Sequence, residues 1–260
     1  MQHRARIAGH LTGAVEDGEF TPVYEPLIEL STGTTQGYEM LARWHSPVLG
    51  HVSPEIFIPL IEEAGLIATM TDQLLRRAMQ DATDWPAHVT LSVNVSPVQL
   101  RDPWFAQKML RLIAETGFPG SRLIIEITEN ALVDNVAMAR TTFESLRNQG
   151  VRIALDDFGT GYSSIARLRE LPFDSVKIDR EFIGRMSTDS TAAQITEAVL
   201  QLSQSLGLPV VAEGVENAEV ADRLAALNCT IGQGRLYGQS MTAAEVRSLY
   251  HPPAAGRAVN

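Results

Sequence analysis

"VYEPLIELSTGTTQGYEMLARW", residues 23–44, contains two strand-like runs joined by a segment that is too short for a helix. The runs at Val23–Ile28 and Gly37–Arg43 are rich in apolar residues, and the segment "LSTGTTQG" between them is rich in turn residues. A crossover to a parallel neighbour needs a dozen residues or more. We therefore expect these two strands to pair as an antiparallel hairpin.

After this hairpin, short apolar runs alternate with segments such as "FAQKMLRLIAET", whose apolar residues recur at a helical spacing. Six further strands are predicted, at Val89–Val95, Leu123–Thr128, Val151–Asp156, Ser175–Ile178, Val210–Glu213 and Thr230–Gly232. Eight strands with helical crossovers over about 250 residues are typical of a (β/α)₈ barrel. An open doubly wound sheet is the alternative, but no glycine-rich dinucleotide fingerprint follows the first strand.

Composition indicates one globular domain, which we place at residues 8–250, followed by a frayed tail at residues 251–260. No apolar run reaches the roughly 20 residues of a membrane span, so no membrane segment is expected. The formal net charge of −10 argues against binding to duplex nucleic acid. The one cysteine, Cys229, fits a reducing cytoplasm. The six histidines show no spacing typical of metal ligands.

Polar residues interrupt or end the predicted strands, and a parallel barrel brings those strand ends to one rim. They are Glu39, Asn94, Glu126, Asp156, Asp157, Lys177, Glu213 and Gln233. Lys177 alone cannot neutralise five carboxylates, which are costly to bury without counter-charge. The candidate ligands supply only oxygen, which favours Mg²⁺ or Mn²⁺ over zinc. We expect two such ions, and we expect metal to lie between the adjacent acids Asp156 and Asp157.

Several motifs, in this order along nearly the whole chain, resemble the EAL domain family of cyclic-di-GMP phosphodiesterases. They are "YEMLARW", "FIPLIEEAGLI", "VNVSPVQL", "EITE", "LDDFGTGYSSI", "LPFDSVKIDREFI", "VVAEGVE" and "IGQG". The resemblance implies an α/β fold, a modified TIM (β/α)₈ barrel with an antiparallel first strand. It implies hydrolysis of cyclic-di-GMP to linear pGpG with two Mg²⁺ or Mn²⁺ ions. It also implies a homodimer and an upstream GGDEF or sensory domain in a longer parent protein.

The same resemblance assigns roles at the metal site. The residues that resemble ligands of one ion are Glu39, Asn94, Glu126 and Asp156, and those that resemble ligands of the other are Asp156, Asp157 and Glu213. Lys177 resembles the lysine that contacts the nucleophilic water. Because an ammonium cannot accept a proton, we interpret Lys177 as a positioning and charge-stabilising group. Glu216 resembles a residue that contacts the metal site or its water. Glu129 resembles the glutamate that holds the "DFGTGYSS" loop, residues 157–164.

Substrate contacts are expected from a second group of residues. Arg43 resembles the arginine that faces a substrate phosphate, to which a guanidinium is well matched. Leu41 closes the signature triplet, Gln233 is expected in the same pocket, and Asp72 loosely resembles a guanine contact. Glu25 is also expected there, although glutamine is typical of the family at this position.

The chain departs from the family pattern on the substrate side. Met40 replaces the usual alanine, Arg235 the usual aromatic residue, and Gln239-Ser240 the usual Arg-Pro, besides the change at Glu25. A second hypothesis is therefore a catalytically weak EAL domain that acts as a cyclic-di-GMP receptor or a protein-interaction module. A third is another metal-dependent barrel, such as an enolase-type enzyme, to which the adjacent acids and Asn94 are poorly suited.

Overall fold

One continuous sheet forms the centre of the protein. The structure is a computed structural model that describes residues 2–132, 136–159 and 168–252, with side chains from residue 4 onward. Within these residues the strands are Phe20–Glu29 (β1), Thr35–Ser46 (β2), Gly50–Val52 (β3), Thr90–Asn94 (β4), Leu123–Thr128 (β5), Arg152–Phe158 (β6), Ser175–Ile178 (β7), Val210–Ala212 (β8) and Ile231–Gly232 (β9). The strand order is β1-β9-β8-β7-β6-β5-β4-β2-β3, and β1 also pairs with β2. That last pairing closes eight strands into a barrel.

Strand β1 is antiparallel to both of its neighbours, β2 and β9. The other barrel neighbours, from β2 through β4 to β9, are parallel. The expected hairpin and the modified barrel are therefore confirmed. Strand β3 was not expected from the sequence, since three residues are too few to show an alternating pattern. It extends the sheet by pairing antiparallel with the end of β2.

Helices cover the barrel and connect its parallel strands. They are Gln2–Ala8 (α1), Leu11–Glu16 (α2), Pro54–Glu63 (α3), Ile67–Asp81 (α4), Pro97–Leu100 (α5), Phe105–Thr116 (α6), Val136–Arg147 (α7), Arg180–Arg185 (α8), Ser190–Ser205 (α9), Ala218–Ala226 (α10) and Ala243–Tyr250 (α11), with 3₁₀ turns at Ala82–Asp84, Gly120–Arg122 and Glu129–Leu132. Ser53 precedes α3 with an extended backbone and Pro54 at the first helical position, although its side chain makes no capping hydrogen bond. No helix in the described part of the chain is both long and apolar enough for a membrane span.

The two faces of β2 separate the core from the site. Tyr38, Met40 and Trp44 are buried, and Trp44 packs with its ring centroid 5.1 Å from that of Phe20. Because side chains alternate along a strand, Glu39 and the odd-numbered residues after it lie on the opposite face. That face continues from the barrel interior to its rim, so packing of the even-numbered residues fixes the direction of the polar ones.

Gly37 of β2 approaches β4 closely enough to exclude a side chain. A Cβ there would lie 2.2 Å from Oγ1 of Thr90 and 2.9 Å from its carbonyl oxygen. We expect Gly37→Ala to lower the free energy of unfolding by about 1–3 kcal/mol through overpacking. In Gly184→Ala, on α8, the added Cβ meets no atom within 4 Å, so we expect this control to stabilise the protein by about 0.4–1 kcal/mol. Denaturant unfolding measures both, and an unchanged Gly37→Ala midpoint would contradict the close approach.

Candidate active site

A cleft of about 710 Å³ opens where the parallel strands end. Nine residues that the sequence predicts for the site line it: Glu25, Glu39, Leu41, Asn94, Asp156, Asp157, Glu213, Glu216 and Gln233. Glu126 and Lys177 are buried behind this lining, where Lys177 contacts Glu39 and Glu213 of the lining and Glu126 contacts Lys177. Barrel closure thus brings together acids that are far apart in the sequence.

Lys177 lies at the centre of these acids, and only 1% of its surface is exposed. Its Nζ is 2.5 Å from Oε2 of Glu126 and 2.6 Å from Oε1 of Glu213. It is also 3.2 Å from Oε2 of Glu39 and 3.7 Å from Oδ1 of Asp156. One ammonium therefore contacts four carboxylates. Burial alone would lower the pKa of Lys177, but these carboxylates hold it well above its usual range.

Glu39 is fixed from two further sides. The Asn94 amide donates to its Oε1 at 2.6 Å, and the Gln233 amide donates to its Oε2 at 2.7 Å. Burial opposes ionisation of Glu39, yet Lys177 and these two amides hold its pKa below the usual value. Gln233 has its other polar atom, Oε1, buried without a hydrogen-bond partner among the described residues. An amide oxygen left this way at an acidic cleft is available to a water or a cation.

Asp156 and Asp157 reach the same cleft because the strand is irregular between them. Neighbouring side chains of a regular strand point to opposite faces. Here the register of β6 against β7 shifts between Leu155 and Phe158, and Asp157 has a left-handed backbone with φ of 56°. This bulge turns both acids toward Glu213, so that carboxylate oxygens of the three residues lie within 4.8 Å of one another. Left-handed φ in a non-glycine residue is strained, and such strain clusters at functional sites.

The electrostatics of the cleft favour an added cation. Burial, assisted by Asp156 and Glu39, raises the pKa of Glu213 to about 8 although Lys177 opposes the shift. Burial raises the pKa of Asp157 to about 6, with help from Asp156. Burial is the main cause of both shifts, and neighbouring acids add to them because one lysine does not balance five carboxylates. Donors that are all oxygen, with three carboxylates in one small volume, fit Mg²⁺ or Mn²⁺.

Comparison with known proteins agrees with this geometry. The model of the family described as "EAL domain" matches residues 8–240. The chain belongs to the EAL domain family. EAL domains are metal-dependent, in accord with the oxygen donors of the cleft. An uncharacterized signaling protein of Caulobacter vibrioides is 40% identical over 92% of this chain and 30% of its own length. The cyclic di-GMP phosphodiesterase PA2567 of Pseudomonas aeruginosa is 38% identical over 87% of this chain and 39% of its own length.

A solved structure of the PaMucR phosphodiesterase in complex with c-di-GMP has the same architecture. It covers 93% of this EAL domain and is itself covered to 99%, with 33% sequence identity and a TM-score of 0.89. The curated relatives are longer, since the chain spans only 30–40% of the length of those it matches. The family and the fold that the sequence motifs predicted are thus confirmed.

Of the predicted substrate contacts, Glu25, Leu41 and Gln233 line the cleft, whereas Arg43 and Asp72 do not. Arg43 donates from Nη2 to Ser240 Oγ at 3.1 Å and from Nη1 to the Ala42 carbonyl at 3.0 Å. Glu25 lies directly opposite Glu39 in the β1–β2 register. Burial and Glu39 raise the pKa of Glu25, whereas Gln233 and Arg43 oppose the shift.

Two other predicted residues lie apart from the cleft lining. Asp72 is on α4, with a carboxylate oxygen 3.6 Å from Nη2 of Arg76, and it lines a separate groove between α4 and α6. The structure therefore does not bring Asp72 to the other predicted substrate contacts. Glu129 is buried at the start of a 3₁₀ turn. Residues 160–164 of the loop that it was expected to hold lie outside the described residues, so this role stays a prediction.

Sequence reasoning missed Asp179 as a residue of the cleft, and it did not predict the contact between Ser240 and Arg43. Asp179 lines the cleft, and its side chain is hydrogen-bonded to that of Asp157. It follows strand β7, so the rule that selected Lys177 from the same strand could have found it. Ser240 stands out in the sequence only as a departure from the family pattern, and its contact with Arg43, which joins residues 197 positions apart, has no sequence signal.

We expect the metal-free EAL domain to lose stability as the pH rises. A carboxyl group whose pKa is raised on folding binds its proton more tightly in the folded chain. For Glu213 this stabilisation is complete below about pH 4.5 and is lost as the pH rises through about 8. In EDTA, the melting temperature should therefore be lower at pH 8.5 than at pH 6, by several degrees. Adding Mn²⁺ should reverse the loss, because the ion binds the ionised carboxylates of the folded chain.

Glu213→Gln provides the control for this measurement, since it keeps the shape of the side chain and removes its titration. The fall between pH 6 and pH 8.5 should be smaller in this variant. An equal pH dependence in the two proteins would show that Glu213 has an ordinary pKa.

Proposed function

We propose that this EAL domain hydrolyses one phosphodiester bond of cyclic-di-GMP to give linear pGpG, with two Mg²⁺ or Mn²⁺ ions in the acidic cleft. The observation that carries the proposal is the gathering of Glu39, Glu126, Asp156 and Glu213 around Lys177, with Asp157 turned toward the same point. Similarity to a cyclic-di-GMP phosphodiesterase supports the choice of substrate.

The residues that would hold the ions form two overlapping sets. One set is Glu39, Asn94, Glu126 and Asp156, and the other is Asp156, Asp157 and Glu213. Asp156 is shared, which is possible because a carboxylate has two oxygens. When bound, such ions lower the pKa of a coordinated water and stabilise the leaving oxygen of a phosphodiester.

Lys177 would act as a proton-bearing cation and not as the general base. Its Nζ contacts four carboxylates, which favour the charged form. An ammonium has three N–H donors and no acceptor. Its contribution would be to hold the acids in position and to reduce their mutual repulsion, so that loss of Lys177 would disturb the ligand geometry.

Arg43 would bind a phosphate of the substrate. It follows Glu39 and Leu41 on the same face of β2, and a guanidinium matches phosphate with two parallel hydrogen bonds. The Ser240 hydroxyl restrains this guanidinium. Ser240 is itself held in place because its neighbour Met241 exchanges two backbone hydrogen bonds of 2.8 Å with Tyr24 of β1.

A cyclic-di-GMP receptor without turnover is the second candidate function. Glu25 favours it, because this residue adds a carboxyl group directly opposite Glu39 on the substrate side. Arg235 adds a further difference, with Nη2 3.5 Å from Oε1 of Glu216 at the cleft. A carboxylate here would repel a substrate phosphate and shift it relative to the ions, which would lower turnover without removing any ion ligand.

The surroundings of the domain are part of the same proposal. Because the curated relatives are longer than this chain, we propose that the domain works beside a GGDEF or sensory domain. We also propose a homodimer. A cytoplasmic location would suit the single cysteine, Cys229, which is buried.

Hydrolysis of cyclic-di-GMP with Mg²⁺ tests the enzyme directly. We expect conversion to pGpG, and we expect Asp156→Asn to reduce turnover by more than about 100-fold, because this residue belongs to both ligand sets. Asp222→Asn is the matched control, since Asp222 is exposed on α10, and it should keep full activity. Tight binding of cyclic-di-GMP without pGpG would overturn the enzyme and support the receptor. Near-full activity of Asp156→Asn would contradict the ligand assignment.

Loss of the Ser240 hydroxyl tests the role of Arg43. Without it, Arg43 keeps its charge but loses one restraint, so we expect Ser240→Ala to raise KM about 3- to 10-fold with little change in kcat. Ser240→Thr should restore KM, and Ser248→Ala on α11 serves as a control. Steady-state kinetics with cyclic-di-GMP give both constants. An unchanged KM in Ser240→Ala would show that the hydrogen bond does not support substrate binding.

A further inference from the structure

The hairpin of β2 and β3 carries a pair of histidines outside the acidic cleft. His45 and His51 lie directly opposite each other in the antiparallel register. Their ring centroids are 5.0 Å apart, with an angle of 70° between the ring planes. Both side chains are exposed. Only the unexpected strand β3 brings them together, so the sequence spacing gave no sign of the pair.

The separation of the two rings matches that of two imidazoles on one metal ion. With a metal–nitrogen bond of about 2.0–2.1 Å, the ion lies about 3.2 Å from each ring centre. Two ligands at tetrahedral positions then have ring centres about 5 Å apart. We propose that His45 and His51 bind one transition metal ion of the zinc class.

Both rings are available for this role. Neither His45 nor His51 has a hydrogen-bond partner among the described residues, so no side chain or carbonyl there competes for the ring nitrogens. Cross-strand pairs keep their Cβ atoms about 4.5–5.5 Å apart, which fixes both side chains on one face without a loop rearrangement. Binding would therefore require only rotation of the side chains.

The chemistry of this pair differs from that of the cleft. Imidazole nitrogen suits zinc, copper and nickel, whereas carboxylate and amide oxygens suit magnesium and manganese. A zinc ion should therefore select the histidine pair when the cleft is saturated with Mg²⁺. Two protein ligands leave the remaining positions of a tetrahedral ion to water or to another small ligand.

The pair lies farther along β2 than Glu39 and Leu41, the residues of that strand that line the cleft. His45 follows Glu39, Leu41 and Arg43 on one face of β2, because alternate residues share a face. It is therefore about 6.6 Å along the strand from Arg43. An ion at this place would add positive charge to the same face of β2.

Calorimetric titration with Zn²⁺ in saturating Mg²⁺ tests the site. We expect one zinc ion to bind the wild-type protein, and we expect His45→Gln and His51→Gln each to lower the affinity by about 10-fold or more. His88→Gln, which removes another exposed histidine, should bind like the wild type. The cleft acids are the same in the wild type and the three variants, so zinc that binds there contributes equally to all four titrations. A difference in zinc affinity among them therefore reports on the histidine pair.

Crystals soaked with zinc give an independent measurement. Anomalous scattering at the zinc edge should show a peak about 2.0–2.1 Å from one nitrogen of each ring. Equal zinc affinity in all four proteins, or no anomalous peak between the two rings, would overturn the proposal. Thermal melting of the two variants controls for folding, and exposed side chains on a hairpin predict little change.

Discussion

One buried ammonium connects the architecture of this protein to its site. Lys177 on β7 contacts acids contributed by β2, β5 and β6 and by the residue after β8. A buried ion without partners is costly. The four acids reach Lys177 only when the barrel is closed and its parallel strands are in register, so the buried ammonium depends on the complete fold. The antiparallel β1 completes that closure. The pairing still leaves an excess of negative charge, and this excess makes the cleft suited to divalent cations.

The bulge at Asp157 is the second constraint, and it is local. A regular strand cannot direct two adjacent acids into one cleft, and the left-handed backbone of Asp157 costs free energy that the neighbouring strands must offset. Strand β6 is held between β5 and β7, and both of its edges are paired. The strain is therefore maintained by the sheet, which explains how repelling carboxylates remain adjacent in a stable fold.

Much of the fold and of the site could be predicted because both depend on short-range patterns. The link between β1 and β2, only five residues long at 30–34, forbids a helical crossover, and polar residues at strand ends must meet at one rim of a parallel barrel. The missed features depend on position in space. The hydrogen bond from Arg43 to Ser240 joins distant parts of the chain, and β3 is too short to have a pattern. Asp157 was expected at the metal site, but the register shift and left-handed backbone that direct it there have no sequence signal.

Glu25 shows why a change of residue type must be judged with its surroundings. In sequence it replaces a neutral amide by an acid, which adds a formal charge to the substrate side. In the structure it faces Glu39, and burial together with that neighbour raises its pKa. A protonated carboxyl group is neutral and can both donate and accept a hydrogen bond, as the amide group of a glutamine side chain can. The environment therefore moves Glu25 toward the neutral form, and the formal charge overstates the departure from the family pattern.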